Sequence, residues 1–201
     1  MNFPQIPTDV ITFVESLPQV KSCELYGSFA NGTADELSDI DIMADVSGLD
    51  NGRFMLDLPN RIAQKFNLLF YDFAPSLVPK QYIVSVAIDE QNPFAMIDLN
   101  CIATPHIETV QKSDLKNDIF THTIKLWIAN CKHFLRGIDC SADIQKMGKK
   151  IIKSDCKLMT DEAIIEEVLR YLEDTANHPL LNYINNCRNI WDSRRIQCLT
   201  K

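Results

Sequence analysis

No apolar run in these 201 residues approaches the length of about 20 that a helix needs to cross a bilayer, so a membrane-spanning chain is not expected. The first residues, MNFPQIPTDVITF, lack a basic stretch ahead of the apolar positions, and Asp9 interrupts them. That pattern argues against a secretory leader and predicts a cytoplasmic protein. There is no C-x-x-C pair, and the seven cysteines are odd in number. A disulfide framework wants an even count and a structural zinc site wants paired spacing, so free thiols are expected. The one Cys131-x-His133 pair is too little for a metal site. No G-x-x-x-x-G-K-[ST] run occurs, which removes phosphate chemistry of the P-loop kind. Internal repeats and low-complexity segments are also missing.

Basic charge is scarce in the first half. Residues 1–105 hold 5 Lys+Arg against 14 Asp+Glu, a net of −9, while residues 106–201 hold 15 against 13, a net of +2. Affinity for nucleic acid rests on neutralising phosphates, so an acidic first half disfavours a general nucleic-acid binder. It suits metal cations or a cationic small molecule. A hydrophobic fraction of 46% with 23% charged residues is that of an ordinary globular protein.

Two textures meet near Thr104–Pro105. Before that point, strands alternate with short helices. Val10, Ile11 and Val14 sit at helical spacing in residues 8–16. Residues 22–26, 40–44 and 68–71 read as strands, and residues 54–66 as a helix with Leu58-Pro59 as an early irregularity. Residues 82–88 and 94–102 read as two more strands, joined by the turn chemistry of Asp89 to Pro93 into a hairpin. After Pro105 the pattern is helical only. Ile124, Trp127, Ile128, Cys131, Leu135 and Ile138 share one face. Met147 and Ile151 mark another helix, residues 163–172 a third with Thr160 or Asp161 as N-cap, and Pro179 opens a fourth that buries Leu180, Leu181, Ile184, Cys187 and Trp191. Four amphipathic helices predict a bundle. Trp127 and Trp191 lie on apolar faces and are expected in its core. The fold class is α+β, with residues 1–105 as a mixed-sheet domain and residues 106–201 as a helical bundle.

The chemistry gathers in LYGSFANGTADELSDIDIMADV, residues 25–46. Gly27 and Ser28 follow a strand, where glycine permits a tight turn and lets backbone approach a ligand closely. A helix start behind Ser28 presents free N–H groups to phosphate. Asp39 and Asp41 open the next strand, and residues i and i+2 of a strand share a face. Two carboxylates so crowded repel unless a cation sits between them, and hard oxygen donors beside a phosphate grip suit Mg²⁺. Asp98 places a charge in the mainly apolar run FAMIDLNCIA, where it is costly unless paired or metal-bound. Asp72, at the end of another strand, is its rival as third carboxylate.

A glycine and serine, a short helix and then aspartate-x-aspartate resemble the signature of the DNA polymerase β-like nucleotidyltransferase superfamily. GSFANGTADELSDID is similar above all to its antibiotic-modifying and minimal branches, although Asn31-Gly32 stands where the family commonly has Arg-Gly. The resemblance covers about the first 105 residues. It implies two Mg²⁺ ions held by Asp39, Asp41 and Asp98, with ATP or another nucleoside triphosphate as substrate. It further implies β- and γ-phosphates on Gly27 and Ser28, and Asp98 as acceptor of the attacking hydroxyl's proton. Lys146, Lys149, Lys150, Lys153 and Lys157 are expected on one helix, and the resemblance points to Lys149 and Lys153 as triphosphate contacts. The implied reaction is adenylyl transfer to a small-molecule hydroxyl, an aminoglycoside-like cation being one fit, with the bundle shaping the acceptor site. Two alternatives stay open: a protein-adenylylating antitoxin-type enzyme, and an inactive nucleotidyltransferase-like binding module.

Overall fold

The computed structural model describes residues 5–152, 156–176 and 178–199. The chain forms two compact units, Met1–Asn117 and Asp118–Lys201.

In the first unit the elements run α1 (Ile6–Glu15), β1 (Ser22–Tyr26), α2 (Gly27–Ala30), β2 (Ile40–Asp45), α3 (Asn51–Ala63), β3 (Phe70–Phe73), β4 (Ile83–Ala87) and β5 (Ile97–Ile102). The five strands make one sheet in the order β1-β2-β5-β4-β3. Only β2 and β5 are parallel; the other neighbours are antiparallel, so the sheet is mixed. The expected β4–β5 hairpin is there.

Strand alternation divides the two central strands. Ile40, Ile42 and Ala44 of β2, and Ile97, Leu99 and Cys101 of β5, are buried, whereas the residues between them are partly exposed. The apolar set joins Val10 and Val14 of α1 and Met55, Leu58 and Ile62 of α3 in one core. Two amphipathic helices on one face leave the polar positions of the central strands to the other face. Pro59 does not interrupt α3 as its sequence suggests; the helix runs through it with Leu58 and Pro59 both buried. Burial of that face offsets the backbone hydrogen bond that proline removes.

The first unit extends beyond Pro105, the boundary suggested by the change of texture. Residues after Pro105 bind back onto the sheet through polar side chains rather than through a periodic apolar face, which is why their pattern escapes notice. The His106 ring stacks on Tyr82 at a centroid distance of 5.0 Å. The Tyr82 hydroxyl donates to Ile107 O at 3.1 Å. Asn117 both accepts from Phe73 N and donates to Phe73 O, each at 2.9 Å.

The second unit is helical: α4 (Ile119–Leu135), α5 (Ser141–Ile151), α6 (Asp161–Thr175) and α7 (Leu181–Leu199). Thr160 is the N-cap of α6, its side chain accepting from Ala163 N. Trp127 and Trp191 are fully buried, and their indoles donate to Ile165 O at 3.0 Å and Glu166 Oε2 at 2.8 Å. Two core assignments are corrected. Leu181, at the first turn of α7, is 43% exposed, and Ile138, beyond the end of α4 at Gly137, is 50% exposed. The lysine-rich helix is also shorter than its spacing suggests. It ends at Ile151, Cys156 is buried beside Gly148, and Lys157 falls in a separate 3-10 turn. Lys153 lies outside the described residues.

Candidate active site

The candidate site is built on the polar face of the sheet. In β2 and β5, Asp41 and Asp98 are direct neighbours across the parallel pair. Asp39 stands one residue before β2, and the ligand atoms of Asp39, Asp41 and Asp98 lie within 4.8 Å of one another. All three carboxylates are partly exposed. Asp72, the rival, is two strands away on β3 and buried at 1% exposure. The structure thus brings Asp98 to Asp39 and Asp41, and leaves Asp72 apart.

Two local devices hold this arrangement. The loop before β2 is tied by Asp35, whose carboxylate accepts from Leu37 N at 3.0 Å and from the Ser38 hydroxyl at 2.8 Å. Ser38 is buried, and Ile40 N donates to Met96 O at 2.9 Å, so Asp39 leaves from a fixed turn. Gly27 supplies the second device. Its φ is +66°, and a Cβ there would stand 3.1 Å from Asp41 Cγ and closer still to Oδ2. Glycine lets the turn close over the Asp41 carboxylate without displacing it. Ser28 follows in α2, a four-residue helix, and its carbonyl accepts from Thr33 N at 3.0 Å.

Two functional positions escaped notice in the sequence. Tyr26 pairs with Asp41 across β1 and β2. Burial, then the charges of Asp41, Asp98 and Asp39, push its phenol up to about 12, and a hydrogen bond with Asn100 opposes them. Tyr26 is therefore a neutral hydroxyl beside the acidic cluster at neutral pH. Ser85 of β4 is fully buried, is the register neighbour of Asp98, and donates its hydroxyl to Asp98 Oδ1. Its signal was a lone serine in the apolar strand Ile83–Ala87; nothing in the sequence marked Tyr26.

The donor set fits a divalent cation. Three carboxylates converge there from neighbouring strands and the turn that leads into β2. Small hard cations such as Mg²⁺ take such oxygen ligands together with substrate phosphates. Of the expected triphosphate contacts, Lys149 is exposed on α5 of the second unit.

Residues 8–85 match the family model described as polymerase beta, nucleotidyltransferase. That span includes Gly27, Ser28, Asp39 and Asp41 and stops before Asp98. No curated protein matches the chain. Among solved structures, one described as "structure of GLD-2/RNP-8 complex" is 14% identical with a TM-score of 0.38, over 94% of this chain and 60% of that one. The chain therefore spans less than two thirds of that solved relative.

Proposed function

We propose, from the match of residues 8–85 to the polymerase beta, nucleotidyltransferase family model, that the chain transfers a nucleoside monophosphate, AMP from ATP, to a hydroxyl of a small molecule and releases pyrophosphate. The observation that carries the reading is the convergence of Asp39, Asp41 and Asp98, within 4.8 Å, beside the Gly27 turn, where a Cβ would run into the Asp41 carboxylate.

Asp39, Asp41 and Asp98 are the residues that would hold Mg²⁺. When bound, the ions neutralise charge on the attacking and leaving oxygens of an in-line displacement. The protein's own groups do the rest. Gly27 and Ser28 present backbone N–H groups and a hydroxyl to the β- and γ-phosphates. Asp98 takes the proton of the acceptor hydroxyl, a role that needs a carboxylate within hydrogen-bond reach of that oxygen. Tyr26, held neutral, adds no charge to the cluster. An acidic first half favours a cationic acceptor, an aminoglycoside-like compound being the model case.

The test is transfer of label from α-³²P-ATP with Mg²⁺ to a panel of aminoglycosides, lincosamides, candidate proteins and an oligoribonucleotide, read by pyrophosphate release and mass shift. Adduct on a small hydroxylated cation is the expected result. Adduct on protein or on the oligoribonucleotide alone replaces the acceptor assignment, and no transfer to any acceptor by a protein that also fails to bind ATP and Mg²⁺ marks a binding module instead. A Lys149→Ala variant with unchanged ATP affinity excludes Lys149 from the triphosphate contacts that the family resemblance implies.

A further inference from the structure

We infer that Ser85 is a positioning residue for the metal platform: its hydroxyl fixes the carboxylate of Asp98 in the orientation that completes the cation site. The inference rests on the reading of Asp39, Asp41 and Asp98 as that platform. Ser85 interrupts the apolar run of β4, with Val84 and Val86 on either side, and is 0% exposed. A hydroxyl buried so fully costs free energy unless it is bonded. Register places it opposite Asp98 on β5 and opposite Asp72 on β3. Its proton goes to Asp98 Oδ1.

That bond has a consequence for the site. A lone aspartate on a strand rotates about its side-chain torsions, and each torsion that must be frozen on binding weakens the site. Ser85 pins Oδ1 from the side of β4, which fixes the plane of the carboxylate and so the direction in which Oδ2 faces. Groups that bond to metal ligands in this way are typically worth about 10- to 100-fold in metal affinity or activity. An alanine at this position would fit the apolar strand as well, so strand packing alone does not call for a serine. Asp72, on the far side of Ser85, belongs to the same row of the sheet but not to the converging ligands.

The test uses the full chain and Mn²⁺ as probe, titrated without nucleotide and followed by the loss of the free Mn²⁺ spectrum. Ser85→Ala should keep the melting temperature within a few degrees and weaken Mn²⁺ binding at least tenfold. Ser85→Thr, which restores the hydroxyl, should recover most of that affinity. In the transfer assay the loss should appear as a higher Mg²⁺ requirement with the KM for ATP nearly unchanged. A purely structural serine predicts the opposite split, a lower melting temperature with Mn²⁺ affinity intact, and that result overturns the inference. Should Ser85→Ala fail to fold, Ser85→Cys, of similar size and a weaker donor, reads the same split. Wild-type protein that binds no Mn²⁺ refutes the underlying platform instead, and so separates the two failures.

Discussion

Gly27 offers the sharpest perturbation, because the fold supplies its own control. Gly27 and Gly137 share a positive φ, +66° and +69°. A Cβ at Gly137 meets nothing within 4 Å, whereas at Gly27 it stands 3.1 Å from Asp41 Cγ and closer to Oδ2. Alanine at either position carries the left-handed penalty of about 1–2 kcal/mol. For a chain of this size each such loss lowers the melting temperature by only a few degrees. At Gly27 the Asp41 carboxylate must also shift by about 1 Å, and a displacement of that order at a reacting centre can cost about 100-fold in rate. That factor corresponds to about 2.7 kcal/mol of barrier. Pyrophosphate release, measured with the acceptor found in the transfer screen, should therefore fall about 100-fold in Gly27→Ala and stay near wild type in Gly137→Ala. Equal stability losses with equal, near-wild-type turnover would refute the steric argument for Gly27.

Two further predictions concern the helical unit. Arg188 donates to Glu173 and Glu166 at 2.8 Å, and the Trp191 indole donates to the same Glu166. Burial opposes the Glu166 charge, but the bonds from Trp191 and Arg188 outweigh it and hold the carboxyl below its ordinary 4.5. A depressed carboxyl contributes stability above its unfolded value and loses it as pH falls through the folded one. Glu166→Gln should thus cost about 2 kcal/mol at pH 7, and the gap to wild type, read by urea unfolding, should shrink steadily below pH 4.5; a gap independent of pH contradicts the assignment. Gly148→Ala should destabilise despite alanine's better helix propensity. Its Cβ would lie 2.7 Å from Ile164 Cγ2 and 3.3 Å from Cys156 Sγ, and overpacking of this kind costs about 1–3 kcal/mol; an unchanged or raised melting temperature refutes it.

The parts of this fold that follow strict periodicity are legible in the sequence. Strand β1 and the opening of β2 fall where alternation and the Gly27 turn put them, and α6 starts at Thr160, one of the two N-caps the sequence offers. The convergence of Asp98 with Asp39 and Asp41 is legible as a charge in an apolar strand, since that charge needs a partner. What resists sequence reading is held by contacts between distant residues. Residues after Pro105 belong to the first unit through Tyr82, His106 and Asn117, and such pairings leave no period along the chain. The weight of Ser85 depends on which strand lies beside β4. A serine becomes informative only once its neighbour across the sheet is a carboxylate.

The central claim is that three aspartates form a cation platform, and Mn²⁺ binding without nucleotide tests it independently of any acceptor. Wild-type protein should bind Mn²⁺, folded Asp39→Asn, Asp41→Asn and Asp98→Asn variants should each lose most of that affinity, and Asp72→Asn should retain it. Equal Mn²⁺ affinity in the wild type and in the three triad variants contradicts the account.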